Sequence, residues 1–483
     1  MNTYRFTFVL LVTLASTFSF GQDVDFPLLG QIQSRSSHEI ESSNWSLGAE
    51  TMDRDLVDFK SWKNHIAATG TKQVRLQGGW AKCEKEKGVY DFEWLDEVVD
   101  FLISRDIEPW LQTSYGNPIY EGGGGIHLSA GLPTSEVALK AWDNWVRAIA
   151  KRYRDRVHIW EIWNEPDNKE NNRPEDYTSF YIRTAEIIRS EIPDATLYAL
   201  SLTRVNEKGQ RYTDTFLKTL AQQNKLHLVD EITLHGYTYN PSDVYPDYGK
   251  MQRLVMNYSD RITLRQGELG CPSENQPIMA LNNYDWTELS QSKWAIRKMM
   301  GDLGRDIPSS YFLIIDIVYT HDHEKLMETP KRNTKGLIKS DLNRQFVAYK
   351  EAYYAYQHVT SIFDHSLERI ANYPYTVDSD TSLSVYGYRS KMFDKQVVAI
   401  WMDSETPTNS NTKTSMTFEF PAGKFESPVY VDLRTGNIYN IPNANWKKNG
   451  SRYTLTDIPV YDSPILIADE SLLKIKDKKS KKS

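Results

Sequence analysis

From about Trp45 to Asp364 the chain alternates short β-rich apolar runs with longer stretches whose apolar residues recur at three- and four-residue spacing. The runs "WSLGAE", "KQVRLQG", "IEPWLQTSYG", "VHIWEIWNEP", "TLYALSL", "VDEITLHGY", "ITLRQGELG" and "SYFLIIDIVYT" read as strands. Between them "DLVDFKSWKNHIAATG", "DFEWLDEVVDFLISRD", "SEVALKAWDNWVRAIAKRYRD" and "DYTSFYIRTAEIIRSEIPD" read as amphipathic helices. Strands that alternate with helices argue for a parallel sheet, and eight such units in about 320 residues fit a closed barrel. After "VTSIFDH" the pattern shortens to hairpin-like runs such as "SLSVYGYR", "KQVVAIWMD" and "VYVDLRTGNIYNI". The expected fold is therefore α/β: a (β/α)8 TIM barrel over 22–364 followed by a C-terminal β-sandwich over 365–470. Whether "FPLLGQIQ", ahead of the barrel, supplies a sandwich strand is left open by the pattern.

The ends of the chain read differently from its middle. "MNTYRFTFVLLVTLASTFSFGQ" has an early positive charge at Arg5, an apolar stretch and small residues near its end, so 1–21 is expected to be a cleavable signal and the protein secreted or periplasmic. Its apolar run falls short of the ~20 residues a span needs, so no membrane anchor is expected. The basic stretch 471–483 reads as a disordered tail. A net charge of −7 argues against a nucleic-acid partner. Cys83 and Cys271 allow one disulfide at most, and the spacing of the predicted strands predicts that they stay unpaired. Neither they nor "HDH" at His321–His323 makes a metal site, and no cofactor is implied. "GGGG" at Gly122–Gly125 lacks the Lys-Ser/Thr of a phosphate loop and reads as a flexible loop shaping the site.

Chemistry enters at the strand ends. "VHIWEIWNEPDN" carries Glu161 and Glu165 among tryptophans and stops at Pro166, at the C-terminal end of the fourth strand, where barrels present their reactive groups. "TLRQGELGCPS" ends the seventh strand with Glu268 between glycines. Two carboxyl groups so placed suit glycosidic bond cleavage, in which one protonates the leaving oxygen and the other attacks the anomeric carbon. That division of labour needs environments that push their pKa values apart. Alternation along the fourth strand predicts Glu161, Trp163 and Glu165 facing inward, with Trp163 an apolar wall beneath Glu165 and Glu161 a structural carboxylate with a buried partner. "LHGY" places His235 and Tyr237 on one face, directed at the barrel mouth. Tyr115, Trp80 and Tyr239 are candidates to stack on sugar rings.

"WNEP" closing strand four, a glutamate closing strand seven and "VRLQGGWAKCEKEKGVYDFEWLDEVVDFL" after strand two together resemble the retaining glycoside hydrolases of clan A, most of all the β-xylosidase and α-L-iduronidase family, family 39. The resemblance covers the barrel. It implies Glu165 as general acid/base, Glu268 as nucleophile, Asn164 as a ligand of the sugar 2-hydroxyl and Arg75 as the cation that holds the nucleophile ionised. It implies an oligosaccharide or polysaccharide substrate, with an exo-acting β-xylosidase-like enzyme on plant or algal oligosaccharides as the leading reading. β-Galactosidase-like and endo-glycanase activities, and a catalytically inactive carbohydrate-binding relative, are the alternatives. One departure stands out: many clan relatives carry a tryptophan on strand eight under the reactive sugar, and "YFLIIDIVYT" has none, leaving Asp316 or Tyr319 to face the site.

Overall fold

The computed structural model describes residues 24–127, 131–168, 172–322 and 325–476. The expected signal at 1–21, the tail from 477 on and His323 lie outside the described residues. Eight parallel strands close into a barrel in chain order: β1 (Trp45–Gly48), β2 (Gln73–Gln77), β3 (Glu108–Thr113), β4 (Ile159–Ile162), β5 (Thr196–Leu202), β6 (Glu231–Leu234), β7 (Thr263–Leu269) and β8 (Ser309–Tyr311). Closure is made by β8 against β1, with Tyr311 beside Leu47. The strands are packed on both faces, which is why they read as nearly continuous apolar runs.

Three of the four predicted helices form as read, over Glu93–Ile103, Glu136–Tyr153 and Pro174–Glu191. The second starts where Ser135 accepts a hydrogen bond from the Ala138 amide. The first crossover, expected as one helix, is instead three short turns, Phe59–Ser61, Lys63–Ile66 and Ala67–Thr69. Its polar side chains compete with the helix: Asp58 takes the Lys60 amide and the Thr69 hydroxyl donates to the Ile66 carbonyl. The eighth run also divides. Only its start stays in the barrel, and Ile317–Asp322 pairs with Lys325–Asn333 as an antiparallel hairpin.

The C-terminal region is a β-sandwich. One sheet runs in the spatial order 367–370, 383–390, 396–402, 465–469, 428–432, 437–440, 28–32 and 475–476, and a four-stranded sheet faces it. Val398, Ile400, Phe418, Phe420, Tyr430 and Ile467 are buried between them. Leu28–Ile32 pairs with Asn437–Asn440, so the segment ahead of the barrel belongs to the sandwich rather than to a barrel unit over 22–364. Ile475–Lys476, expected in the tail, pairs with Gln31–Ile32 in the same sheet. The sandwich covers the barrel helix Glu288–Leu303. Buried Lys293 donates to Asp462 Oδ1 (2.7 Å), and Arg297 donates to the carbonyls of Glu405 (2.9 Å) and Asp403 (3.1 Å). Cationic side chains survive in that buried helix face because the sandwich loops give them acceptors.

Candidate active site

β4 ends at Ile162, and the next residues leave the strand geometry at once: Trp163 has φ +66° and Glu165 φ +51°. Such conformations are costly for residues with a Cβ and persist where surrounding contacts hold them. Here the Trp163 amide donates to Thr113 O (3.1 Å) and the Glu165 amide to Ser201 O (3.0 Å), pinning the turn between β3 and β5. The turn breaks the two-residue alternation. Trp163 therefore points away from the site and packs on Trp142, Phe180 and the edge of Tyr115, correcting the expectation of an apolar wall beneath Glu165. Asn164 and Glu165 are left facing a cavity of about 460 Å³ at the C-terminal end of the barrel.

Beneath the cavity lies Arg75, fully buried on β2. Its Nε donates to Glu161 Oε2 (2.8 Å), its Nη1 to Glu50 Oε1 (2.9 Å) and Glu268 Oε2 (3.0 Å), and its Nη2 to Asn164 Oδ1 (2.8 Å) and Ser201 Oγ (2.9 Å). One planar guanidinium thus sets the positions of three carboxylates, an amide and a hydroxyl. Glu161 is the expected structural carboxylate, with Arg75 as its partner and Gln112 Nε2 as a second donor (2.7 Å). Ser201 reaches the network because β5 and β6 slip register between Ala199 and Leu202, a bulge that turns Ser201 inward.

Glu165 and Glu268 are joined through His235. The His235 Nδ1 lies 2.8 Å from Glu165 Oε1, its Nε2 2.8 Å from Ser201 Oγ and 3.8 Å from Glu268 Oε2. Tyr237 donates to Glu268 Oε1 at 2.7 Å, so both members of "LHGY" face the site as read. Burial raises the Glu165 pKa above the usual carboxylate range, beyond what its bond to His235 takes back. Burial works the same way on Glu268, but there His235, Arg75 and the Tyr237 hydroxyl outweigh it and hold the group low. His235 is pulled down by burial and pushed up further by the charge of Glu268 and the contact with Glu165, so it retains a proton more readily than a free imidazole. The two carboxyl groups share one cavity with opposite proton affinities.

The remaining predicted residues divide. Tyr115 lines the cavity, its hydroxyl accepting from Asn164 Nδ2 (2.9 Å) and Arg54 lying over its ring (4.9 Å). Trp80 does not: it is fully buried, stacked on Tyr120 at 5.7 Å, with its indole N–H donated to Glu84 (2.6 Å). It starts a helical turn directed at the barrel's helix layer, so it is core. Tyr239 lies outside the cavity lining and 42% exposed. Asp316 is withdrawn into a buried ion pair with Lys350 (2.6 Å), whereas Tyr319 and Phe312 line the cavity where a strand-eight tryptophan is lacking. The glycine run is a packed turn rather than a pliable loop: a Cβ on Gly116 would lie 2.4 Å from Gly123 O, and one on Gly123 2.1 Å from Asn117 O. Cys83 and Cys271 are free, as expected, and both are buried.

Among the residues that escaped the sequence reading are Glu50 and Lys335, which line the cavity, and Ser201, which is buried against Arg75. Glu50 follows β1, in the same strand-end position that drew attention to Glu165 and Glu268, so the signal was present in "WSLGAE". Gly48 makes room for it, since a Cβ there would lie 2.2 Å from Glu50 Oε2. Burial, opposed by Arg75 and reinforced by the charge of Glu268, raises Glu50 to about 7. Lys335 follows the hairpin after β8; burial pushes it down to about 7, and its Nζ donates to Asn333 Oδ1 (3.3 Å). Ser201 is a small polar residue in an apolar strand and carried no signal before the bulge was known. Among the described residues, Glu165, His235 and Glu268 are the one group whose atoms could converge on a cation, with one ligand atom of each within 4.8 Å of the others. Both ring nitrogens of His235 are already engaged, which makes it a poor ligand.

A closed parallel barrel with glutamates at the ends of β4 and β7 and an arginine on β2 beneath them has the architecture of the clan A glycoside hydrolases. Residues 58–244 match the model of Glycosyl hydrolases family 39, which supports the family read from "WNEP" and its surroundings. A β-galactosidase of Geobacillus kaustophilus is 30% identical over 104 residues, 18% of this chain and 16% of that protein, so the alignment spans about a sixth of the relative's length. The fold is similar to that of a family 39 glycoside hydrolase from Bacteroides cellulosilyticus (TM-score 0.63, 16% identity, covering 88% of this chain and 81% of that one). It is also similar to that of a family 39 β-xylosidase from Caulobacter crescentus (TM-score 0.55, 16% identity, 92% and 99%). These matches support a glycoside hydrolase.

Proposed function

We propose that the protein is a retaining glycoside hydrolase that cleaves oligosaccharides by double displacement, with Glu165 as general acid/base and Glu268 as nucleophile. The observation that carries the reading is the carboxylate spacing: an oxygen of Glu165 and one of Glu268 lie within 4.8 Å of each other. Retaining enzymes hold the pair about 5 Å apart, whereas inverting ones leave about 6.5–9.5 Å for a water. The electrostatics support the same roles. Glu165, raised by burial, keeps a proton for the leaving oxygen, and Glu268, held ionised beside Arg75 and Tyr237, attacks the anomeric carbon. Once the glycosyl ester on Glu268 has formed, the proton lost by Glu165 leaves it able to take one from the incoming water. Asn164 sits beside Glu165, where a sugar 2-hydroxyl would meet it. An exo-acting β-xylosidase-like activity on plant or algal oligosaccharides, outside the cell or in the periplasm, is the substrate reading we favour. The β-xylosidase among the similar folds supports the sugar, and the β-galactosidase sequence match keeps galactosides in the test panel.

The test is proton NMR of the first product from a panel of nitrophenyl glycosides, together with Glu268→Gly. Wild-type protein should give product of retained anomeric configuration. Glu268→Gly should lose activity, regain turnover with azide and give an inverted glycosyl azide. Inversion by the wild type, or near-normal activity of Glu268→Gly, refutes the assignment, and glycan binding without turnover would favour an inactive carbohydrate-binding relative.

A further inference from the structure

Beyond the cavity, the loops after β6 and β7 build an aromatic cluster that the reaction at Glu165 and Glu268 does not use. Tyr239 stands two residues after Tyr237, which lines the cavity. Its ring lies parallel to that of Trp286, with 2° between the planes and centroids 6.3 Å apart, and Tyr284 packs against both at 5.6 and 4.6 Å. Trp286 is buried and Tyr284 half-buried, but 42% of Tyr239 stays open to solvent. The Tyr239 hydroxyl is not free to turn, because it donates to Asn282 O at 2.9 Å. Asn282 belongs to the segment whose Met279 and Ala280 line the cavity, so the cluster continues the cavity wall outward.

The cluster is also braced from the sandwich. Asn240, next to Tyr239, donates to Asp403 O (2.9 Å) and accepts from Arg297 (2.9 Å). Asn409 of the sandwich is bonded to the Thr287 hydroxyl and the Asp285 carbonyl on either side of Trp286. An exposed tyrosine held in place by two further rings and by main-chain bonds is a pre-ordered surface, and it would lose little side-chain freedom on binding. A pyranose ring presents axial C–H groups on its faces, which suit such a surface, while its hydroxyls stay wet.

We propose that Tyr239, backed by Trp286 and Tyr284, is an outer binding site for a second pyranose ring, adjacent to the ring held between Glu165 and Glu268, and that the sandwich loop 403–410 holds it in place. This rests on the hydrolase reading and extends it: the substrate is a chain of at least two rings, and the β-sandwich takes part in recognising it. The site favours longer chains without touching the reacting atoms.

The experiment compares kcat/KM on xylo- and galacto-oligosaccharides of two to five units with kcat/KM on the fluoride of the same single sugar, which has no second ring. Wild-type protein should gain at least 10-fold in kcat/KM from added rings. Tyr239→Ala should abolish most of that gain while changing the fluoride reaction less than two-fold, and Tyr239→Phe, which keeps the ring, should stay within about three-fold of wild type on both. Equal losses on fluoride and oligosaccharide, or no loss on either, overturn the outer site. A wild type that turns over a fluoride but gains nothing from added rings overturns the outer site alone. A wild type that turns over neither these fluorides nor any member of the nitrophenyl glycoside panel refutes the hydrolase reading, and the outer site falls with it; activity on another sugar of that panel moves the same comparison to that sugar's fluoride and oligosaccharides.

Discussion

Glu50 offers the most quantitative test of how the cavity is built. Its carboxyl group is 2% exposed, accepts one bond from Arg75, and is raised to about 7 from an ordinary 4.5. Its Oε2 has no partner, as suits a group that carries a proton there in the folded protein. The sign follows from the direction of the shift. Between about pH 4.5 and about pH 7 the folded protein keeps a proton that the unfolded chain releases, so this group subtracts from stability as pH rises through that window. A shift of about 2.5 units corresponds to roughly 3 kcal/mol once the window is passed. Gln at this position mimics the protonated acid in size and keeps an oxygen for Arg75. Glu50→Gln should therefore match wild type near pH 4.5 and become more stable by up to about 3 kcal/mol at pH 8. With an unfolding entropy near 2 cal/mol/K per residue, that is about 3 °C in Tm for a chain of this size. The assay is the thermal midpoint of both proteins from pH 4 to 8.5. Curves that stay parallel across the range would refute the argument that Glu50 is held protonated by burial, whichever protein were the more stable.

Other outcomes follow from the same geometry. Glu165→Ala should slow glycosides with poor leaving groups by about 100-fold or more, yet leave activated aryl glycosides able to acylate Glu268; a stalled covalent adduct seen by intact mass would confirm it, and equal losses on both substrate types would contradict the acid role. Trp80→Ala should cost about 3–5 kcal/mol of stability, read from denaturant unfolding, with KM unchanged in the folded fraction, because Trp80 is core and not a sugar platform. Ending the chain after Asp364 should give insoluble protein, since Lys293 and Arg297 would lose their sandwich acceptors and Leu28–Ile32 its pairing strand; a soluble, fully active barrel would show that the sandwich is dispensable.

Much of this was legible in the chain because it depends on local periodicity. The eight barrel strands and three of the four helices read from the apolar spacing lie where that spacing puts them, since burial of one face or both is written directly into residue order. Glu165 and Glu268 were legible for a related reason: a carboxylate at the C-terminal end of a barrel strand stands out against its apolar neighbours, and Glu268 lies within its strand while Glu165 follows its own by three residues. His235 and Tyr237 followed from alternation along strand six, whereas the role of Arg75 came from the family resemblance. Glu50 occupied the same kind of position and carried the same strand-end signal, but no motif such as "WNEP" surrounded it to draw attention to it.

What the tertiary structure alone decided are the places where the chain stops obeying its own period. Left-handed backbone at Trp163 and Glu165 turns one side chain out of the face that alternation assigns it, and contacts from β3 and β5 hold that turn. A register slip brings Ser201 to Arg75, the Lys350 ion pair withdraws Asp316, and the N-terminal strand crosses to a sheet built some 400 residues later. The proton affinities belong to this level too. Glu50, Glu165 and Glu268 are the same residue type and cannot be told apart in sequence, and they differ only because burial acts on all three while Arg75, His235 and Tyr237 reach them unequally.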